Sequence, residues 1–319
     1  MPILTDTQKM QYRKLGRTDL RVSVLGFGTA PLGNVYGTTE PSEGKRAVHF
    51  AIEHGINFFD SSPYYGLTLS EERLGQALVG WRDKVILATK CGRYGLDNFD
   101  FSAARVTASI DESLRRLRTD YIDLFQAHDI EFGNVDQVIH ETIPAMRKIQ
   151  EQGKARYIGI TGYPVKTLAR IAEAVPVDTI LSYSRYNLMI TDMDDVLTPF
   201  AKQQDIGLIN AAGLHMGILT QEGAPAWHPA PPAVHEAARK VADLCRERGV
   251  DIAEVAIRFC LDHPYVSSTL VGLANEAQVK ANLKLLDIKT DPVLVDEIRS
   301  VIGPAFNHVW SSGRPENQQ

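Results

Sequence analysis

The amino-acid sequence predicts an α/β protein folded as a (β/α)8 TIM barrel, with an N-terminal β-hairpin and extra C-terminal helices. Eight short apolar runs, each the length of a buried strand, alternate with segments of helical periodicity. No segment rich in proline, serine or charge divides the 319 residues into separate domains. We therefore predict a single domain over residues 1–319.

A doubly wound parallel sheet is the alternative architecture, and it would carry a glycine-rich phosphate turn after its first strand. Here the first apolar run leads into the segment GFGTAPLG, from Gly26 to Gly33. Its glycines do not fit the spacing G-x-G-x-x-G, and no helical pattern follows it immediately. The count of eight strands therefore favours the barrel.

The elements follow one another in a regular order. A hairpin is predicted over residues 12–24, with its turn at 16–19. The strands are predicted at 25–29, 56–60, 85–89, 122–127, 157–161, 179–183, 208–212 and 269–273. Helices are predicted at 43–55, 71–80, 102–117, 136–153, 165–175, 192–204, 234–249 and 275–286, with extra helices at 251–263 and 291–302.

Two segments are too long to be simple connections. Residues 215–232 are rich in glycine and proline, and residues 304–319 form a polar tail. Long segments without secondary structure in a compact domain commonly serve as lids or binding loops. We expect the 304–319 tail to lie over the active site.

Composition argues against several classes of function. The net charge is −5 without a long run of Lys or Arg, which argues against a nucleic-acid partner. No apolar stretch has the roughly 20 residues of a membrane helix, and residues 1–11 lack the apolar core of a signal peptide. Three widely spaced cysteines and nine scattered histidines form no metal-binding or disulfide pattern. We expect a cytoplasmic protein without a metal site or a membrane partner.

Polar side chains stand at the ends of three neighbouring predicted strands, where a barrel places its active site. The second strand ends in Asp60, with Tyr65 five residues on; Lys90 follows the third strand and His128 the fourth. A buried lysine is costly unless it is paired, and Asp60 is its nearest candidate partner. Two interpretations stay open. The residues form a structural ion pair with a capping histidine, or Lys90 lowers the pKa of Tyr65 for proton transfer while His128 orients a carbonyl oxygen.

These motifs resemble the aldo-keto reductases. The likeness rests on FFDSSPYYG around Asp60 and Tyr65, ATK ending at Lys90 and QAHD around His128, and it covers nearly the whole chain. Within the family, the segments CGRY (91–94), FDFS (99–102), HDIEFG (128–133), WHP (227–229) and WSSG (310–313) are similar to those of plant L-galactose dehydrogenases and bacterial L-fucose or D-threo-aldose 1-dehydrogenases.

The resemblance implies hydride transfer between a nicotinamide cofactor and an alcohol or carbonyl, with Asp60, Tyr65, Lys90 and His128 as the catalytic residues. In the direction of oxidation, Tyr65 accepts the proton of a sugar's anomeric hydroxyl while C1 gives up a hydride, and a lactone results. Lys90 and Asp60 tune Tyr65, and His128 fixes the oxygen. Tuning is required because the ordinary pKa of tyrosine, about 10, lies far from neutral pH.

The resemblance also implies a set of cofactor contacts. Where the family often has Ser-Asn after the fifth strand, this chain has Thr161 and Gly162, and Tyr183 replaces the usual glutamine of the next strand. The pyrophosphate is expected at the start of the helix after the eighth strand. The predicted cofactor-binding residues are Gly28, Thr29, Asp60, Thr161, Gly162, Tyr183, Ala212, Leu214, Gly217, Gly272, Asn275, Gln278 and Asn282.

The eighth strand bears on the choice between NAD and NADP. Members that use NADP commonly place a cation just after this strand and an arginine one turn into the next helix. This chain has Gly272 and Gln278 at those places. Without a cation, the 2′-phosphate of NADP forgoes strong charge-assisted hydrogen bonds, so NAD is the predicted cofactor. Lys280 and Lys284, farther along the helix, leave NADP as an alternative.

A small-molecule sugar is the predicted substrate, since aromatic faces mixed with hydrogen-bonding groups are typical of such pockets. The predicted substrate-binding residues are Tyr36, Arg93, Asp129, Trp227, His228 and Trp310, with Asn307 also at the rim. An NADPH-dependent reductase of broad aldehyde or ketone specificity is the alternative function. A non-catalytic binding or regulatory subunit is a third, against which the four catalytic residues argue. We expect a monomer or a weak homodimer.

Overall fold

The computed structural model of the chain describes residues 10–318. Its strands are β1 (Tyr12–Lys14), β2 (Arg21–Ser23), β3 (Leu25–Gly28), β4 (Phe58–Asp60), β5 (Ile86–Cys91), β6 (Ile122–Ala127), β7 (Ala155–Gly162), β8 (Thr179–Tyr183), β9 (Gly207–Ala211) and β10 (Ser268–Gly272). Its helices are α1 (Pro41–Glu53), α2 (Leu69–Ala77), α3 (Ala103–Leu117), α4 (Val135–Gln137), α5 (Ile143–Glu151), α6 (Val165–Ala174), α7 (Met193–Gln204), α8 (Pro232–Glu247), α9 (Ile252–Leu261), α10 (Glu276–Lys284) and α11 (Pro292–Ile302).

Strands β3 to β10 form a closed parallel barrel, which confirms the predicted (β/α)8 fold. Each strand pairs with the next along the chain, and β10 closes the ring against β3 through the pair Leu270 and Gly26. The predicted hairpin is also present as β1 and β2. Leu15 and Val22 of the hairpin region pack against Phe58 and other inward residues of the barrel, so the hairpin closes the end where the strands begin.

The pleat of the strands explains how polar residues reach the barrel interior. Side chains two positions apart point to the same face of a strand. Phe58 of β4, Ala88 of β5 and Leu124 of β6 belong to the cluster inside the barrel, whereas Phe59 packs between the strands and the helices. Two residues beyond each inward apolar residue stand Asp60, Lys90 and Gln126. We infer that these three side chains form one inward layer at the carboxyl ends of the strands.

One helix assignment from the sequence is wrong. The pattern at 234–249 was expected to be the barrel helix after the seventh strand, and the one at 251–263 an extra helix. In the structure, Ile257 and Leu261 of α9 join the main core against the strands, while α8 packs with α11 in a second cluster. The extra helices are therefore α8 and α11. Periodicity shows that a helix has an apolar face, but it does not show which surface that face will cover.

The predicted helix at 136–153 is also interrupted. A π-helical turn, Val138–Thr142, stands between α4 and α5, and Pro144 lies in the first turn of α5. Proline supplies no backbone N–H, so the helical hydrogen-bond pattern must change near it.

Among the described residues, no helix is long and apolar enough to cross a membrane.

Candidate active site

The centre of the site is a buried ion pair between β4 and β5. Lys90 is 1% exposed and Asp60 2%. The Nζ atom of Lys90 donates hydrogen bonds to Asp60 Oδ1 and to the carbonyl oxygen of Ser61, the latter at 2.7 Å. Gln126 of β6 donates to the other carboxylate oxygen, Oδ2 of Asp60, at 2.8 Å. The predicted pairing of Asp60 with Lys90 is present, and Gln126 adds a neutral partner that the sequence analysis did not include.

Tyr65 lies in the loop that follows β4, with its hydroxyl 3.3 Å from Lys90 Nζ. The expectation that Lys90 lowers its pKa is wrong for this structure. Burial, followed by the negative charges of Asp60 and Asp129, raises the pKa of Tyr65 well above its ordinary value. We attribute the difference to pairing, because the charge of Lys90 is balanced by the carboxylate it contacts.

His128 is held as a neutral imidazole. Its pKa is lowered well below the ordinary value by burial and then by the positive charges of Lys90 and Arg93. The hydroxyl of Ser62 lies 3.0 Å from Nδ1, and the same oxygen accepts a hydrogen bond from the backbone N–H of Tyr64. In the tautomer in which Ser62 donates to Nδ1, the Nε2 atom carries the ring proton and is a donor.

A second ion pair joins the partly buried Arg93 to the buried Asp129. Arg93 donates to Asp129 Oδ2, and its guanidinium lies 3.8 Å from the centroid of the Tyr64 ring. Both charges act on Tyr65: the carboxylate raises its pKa and the guanidinium lowers it. Asp129 Oδ2 also lies 3.7 Å from His128 Nε2, and the rings of His128 and Tyr65 are 5.7 Å apart. Arg93 and Asp129, two of the predicted substrate-binding residues, therefore lie beside the catalytic cluster.

The predicted cofactor-binding residues lie along one rim, at the carboxyl ends of the strands and the loops that follow them. Thr29 Oγ1 donates to the carbonyl oxygen of Asp60 at 2.9 Å, and Thr161 Oγ1 accepts from the backbone N–H of Asp129 at 3.1 Å. Non-glycine residues of this rim with left-handed backbone include Asp129, Ser184, Ala212, His215 and Met216. Strained backbone of this kind gathers at functional sites.

The start of α10 carries the remaining predicted cofactor residues. Asn275 caps the helix by accepting from the backbone N–H of Gln278 at 2.9 Å. Gln278 folds back to accept from the backbone N–H of Ala274 at 2.7 Å. Lys280 turns toward Glu276, with their side-chain nitrogen and oxygen 3.3 Å apart. An acidic side chain, Glu276, therefore stands in the first turn of this helix.

The predicted substrate-binding residues divide into two groups. Tyr36 and Trp227 are exposed and adjacent, with ring centroids 6.4 Å apart. Trp310 stacks on Tyr163, with ring centroids 4.9 Å apart. These residues, with Arg93 and Asp129, stay in the predicted set.

His228 and Asn307 do not fit the predicted set. His228 is buried, its Nε2 lies 2.9 Å from the carbonyl oxygen of His215, and its Nδ1 accepts from the backbone N–H of Ala230. Both ring nitrogens are therefore used within the protein. Asn307 binds the backbone N–H of Thr191 through Oδ1 at 2.8 Å, so it anchors the tail.

Residues that the sequence analysis missed complete the site. Gln126 and Ser62 hold Asp60 and His128 in place, and the position of Gln126, two residues beyond the inward-facing Leu124, was a usable signal for it. Glu131 is fully buried and receives hydrogen bonds from Tyr183 and Ser312 at 3.1 Å each. No local signal marks Glu131, because one of these partners is 181 positions away.

The rim offers polar atoms that the described residues leave unused. Oε2 of Glu131 and Oγ of Ser184 are buried and make no hydrogen bond within residues 10–318. The amino end of α10, with its positive helix dipole, favours a negatively charged group. Hydrogen-bonding atoms at one end of the rim and an anion site at the other fit a nicotinamide dinucleotide. No group of three or more His, Cys, Asp or Glu side chains that could hold a metal ion occurs among the described residues.

Comparisons with known proteins agree with this geometry. A sequence profile of the Aldo/keto reductase family matches residues 24–302. The chain is 43% identical to L-galactose dehydrogenase of Arabidopsis thaliana, over 97% of this chain and 99% of that protein. It is 30% identical to D-threo-aldose 1-dehydrogenase of a Pseudomonas species, over 82% of this chain and 89% of that protein. The solved holo form of aldo-keto reductase AKR11C1 from Bacillus halodurans superposes with a TM-score of 0.78 at 27% identity, over 98% of this chain and 100% of that chain.

Proposed function

This chain belongs to the aldo/keto reductase family, and on that premise we propose that it is an NAD-dependent aldose 1-dehydrogenase. Its substrate would be L-galactose, L-fucose or a similar aldose, oxidised at C1 to the lactone. The observation that carries the proposal is the cluster of Lys90, Asp60, Tyr65 and His128 at the carboxyl end of a closed barrel. The family shows the class of reaction, and the similar aldose dehydrogenases support the choice of sugar.

His128 and Tyr65 contact the reacting hydroxyl, and Lys90 and Asp60 act on it through Tyr65. The Nε2–H of His128 donates to the hydroxyl oxygen and fixes its position. The Tyr65 oxygen accepts the hydroxyl proton as the carbonyl forms. A bound oxidised nicotinamide would supply the hydride acceptor for C1 and a positive charge. Tyr65 starts this step as a phenolate and ends it as the neutral phenol. Lys90 keeps Nζ within hydrogen-bond reach of that phenolate, and Asp60 holds Lys90 there.

The choice of NAD over NADP is supported by the charges near α10. Gly272 offers no cation after β10, and the amide of Gln278 is taken up by the backbone of Ala274. Glu276 occupies the first turn of the helix and draws Lys280 to itself. A 2′-phosphate at this end would meet the Glu276 carboxylate, with which the neighbouring cations Arg46 and Lys280 are both paired. NAD, which lacks that phosphate, avoids the repulsion.

Recognition of the sugar is assigned to the border of the site. Arg93 and Asp129 present a guanidinium and a carboxylate beside Tyr65, and such groups can donate to and accept from neighbouring hydroxyls. Tyr36 and Trp227 form an exposed aromatic pair that can cover the apolar face of the ring. We also propose that the enzyme is cytoplasmic and that it is a monomer or a weak homodimer. Sedimentation of the purified chain measures its oligomeric state.

A panel of L- and D-aldoses tests the proposal directly. Purified protein is incubated with each sugar and NAD, and the absorbance of reduced nicotinamide is followed. We expect turnover with L-galactose or L-fucose and a higher kcat/KM with NAD than with NADP. The matched control is Tyr65→Phe, which should show no turnover above background. Equal or greater efficiency with NADP would contradict the cofactor assignment while leaving the sugar assignment standing.

One observation favours a second function, the NADPH-dependent reduction of aldehydes or ketones. The raised pKa of Tyr65 keeps its hydroxyl protonated at neutral pH, and a protonated hydroxyl can donate to a carbonyl oxygen. The panel therefore includes simple aldehydes and ketones with NADPH. Efficient reduction of these compounds, without oxidation of any aldose, would favour the reductase.

A further inference from the structure

Glu131 is a buried acid at the end of the barrel that carries the catalytic cluster, and the proposed mechanism gives it no role. It lies in the 3-10 turn Ile130–Phe132, directly after the segment that carries His128 and Asp129, and its side chain is fully buried. No arginine or lysine side chain makes an ion pair with it in the described part of the chain. A fully buried carboxyl without a cation is expensive, so its retention calls for a physical reason.

The carboxyl joins three separate parts of the molecule through one oxygen. Oε1 accepts hydrogen bonds from the backbone N–H of Tyr163 after β7 at 3.2 Å and from the hydroxyl of Tyr183 at the end of β8 at 3.1 Å. It also accepts from the hydroxyl of Ser312 in the C-terminal tail at 3.1 Å. Glu131 is therefore the point where two strand ends meet the tail.

The backbone of Glu131 binds the same tail. Its carbonyl oxygen accepts from the N–H of Arg314 at 2.9 Å and from the side-chain amide of Asn317 at 2.8 Å. Between these contacts Gly313 packs so closely that a Cβ atom at this position would lie 2.3 Å from the Glu131 carbonyl oxygen. The tail fits this surface as a specific segment and not as a loose terminus.

Gly162 gives the carboxyl its space. A Cβ atom at position 162 would lie 2.7 Å from Oε2 of Glu131, so any side chain there would displace the carboxyl. Glycine at 162 and glutamate at 131 are thus a matched pair at the end of β7. Oε2 itself is the buried oxygen that lacks a partner in residues 10–318.

Tyr183 connects this arrangement to the reaction space. Tyr183 stands two positions beyond the inward-facing Leu181 and packs against the cluster inside the barrel, so its side chain faces the barrel interior at the end where Asp60 and Lys90 lie. Tyr183 is only partly buried, and its ring lies 5.6 Å from that of Tyr163. Its hydroxyl is fixed by Glu131, so the orientation of the ring depends on that bond.

We propose that Glu131 is a positioning residue that couples docking of the C-terminal tail, residues 310–317, to the placement of Tyr183, and so sets the affinity for the nicotinamide cofactor. The inference rests on the proposed function, because it assumes that Tyr183 faces the nicotinamide end of a bound cofactor. The hydrogen bonds of Lys90, Asp60 and His128 include no atom of Glu131, so the catalytic cluster stays in place when Glu131 changes.

Two measurements on full-length variants test the coupling. The first is the Kd for NADH from a fluorescence or calorimetric titration. The second is hydrogen exchange of the C-terminal peptide, because the N–H of Arg314 is protected only while the tail is docked. Glu131→Ala should raise the Kd about tenfold, the size of one lost hydrogen bond, and should speed exchange in the tail. Glu131→Gln keeps an acceptor at Oε1 and should preserve both values within twofold.

Ser312→Ala and Tyr183→Phe separate the two halves of the coupling. Ser312→Ala should speed exchange in the tail and raise the Kd several-fold. Tyr183→Phe should raise the Kd and leave the tail protected. If Glu131→Ala folds poorly, Ser312→Ala carries the test alone, since it removes one surface-accessible hydroxyl contact of the tail.

The outcomes distinguish the coupling from the proposed function. Faster tail exchange in Ser312→Ala with an unchanged Kd would overturn the coupling, and so would a loss of affinity in Glu131→Gln equal to that in Glu131→Ala. If the parent protein binds neither NADH nor NADPH, the proposed function fails, whereas the exchange experiment still reports whether Glu131 holds the tail.

Discussion

Lys90→Met should lower the free energy of unfolding by about 3 to 5 kcal/mol, because it leaves the Asp60 carboxylate buried without its cation. The side chains of this pair are 1% and 3% exposed, so water cannot replace the lost partner. Asp60 would keep one hydrogen bond, from Gln126 at 2.8 Å, while the carbonyl oxygen of Ser61 would lose its donor at 2.7 Å. Methionine is a flexible side chain of similar length, so the loss of charge, more than a cavity, sets the cost.

The double variant Lys90→Met with Asp60→Asn isolates the contribution of charge. It removes both members of the pair and leaves an uncharged site. Gln126 can then turn its amide, because its Oε1 atom has no partner among the described residues and can accept from the new amide. We expect stability to return to within about 1 kcal/mol of the parent, so the coupling energy in the mutant cycle should exceed the loss of stability in either single variant.

Urea or guanidinium titration of the parent, both single variants and the double variant measures the cycle. Turnover is measured on the same samples, and all three variants should lose about 10²- to 10⁴-fold in rate, the range of general acid–base catalysis. Stability would then recover in the double variant while activity does not. The reasoning is refuted if Lys90→Met unfolds at the same denaturant concentration as the parent, or if the double variant is no more stable than either single one.

Three further predictions concern proton transfer, cofactor choice and pH. Tyr65→Phe should lower kcat about 10²- to 10⁴-fold with an unchanged Kd for NADH; a loss below tenfold in steady-state assays would contradict its role. Gly272→Lys with Gln278→Arg should raise the ratio of kcat/KM for NADP over NAD at least about tenfold, since each cation adds a charge-assisted hydrogen bond; an unchanged ratio would place the 2′ position elsewhere. Burial, and then the Asp129 carboxylate, raises the pKa of Glu131 from 4.5 to about 8. The stability that the protonated Glu131 contributes is therefore present at low pH and is lost as pH rises toward about 8. Glutamine at this position does not ionise, so the free energy of unfolding of Glu131→Gln should rise relative to that of the parent between about pH 5 and pH 9. Denaturant titrations should show a difference of up to several kcal/mol.

Much of the barrel could be predicted because its signals are local. Each strand is a short apolar run, and each run is bounded by turn residues or a helical pattern within a few positions. The predicted bounds of β6 and β8 match the structure to the residue, at Ile122–Ala127 and Thr179–Tyr183. The pairing of Asp60 with Lys90 also followed from sequence, because neighbouring strands of a parallel barrel end at the same face.

The roles of α8 and α9 could not be read in the same way. Both are amphipathic, and the surface that each covers depends on the loop from 212 to 231 and on α11, which lies 45 residues beyond the end of α8. Likewise, His228 looked available for a substrate until the fold placed the carbonyl oxygen of His215 and the N–H of Ala230 against its two nitrogens.

The sequence by itself determined the barrel, the order of its elements and the four residues that the family resemblance points to, since strand alternation and motif spacing act over short distances. Only the tertiary structure decided the protonation chemistry and the place of the tail. The pKa of Tyr65 rises and that of His128 falls because burial removes water from both, and burial is a property of the assembled barrel. Glu131 meets Ser312 across 181 positions, a contact that exists only once the chain has closed on itself.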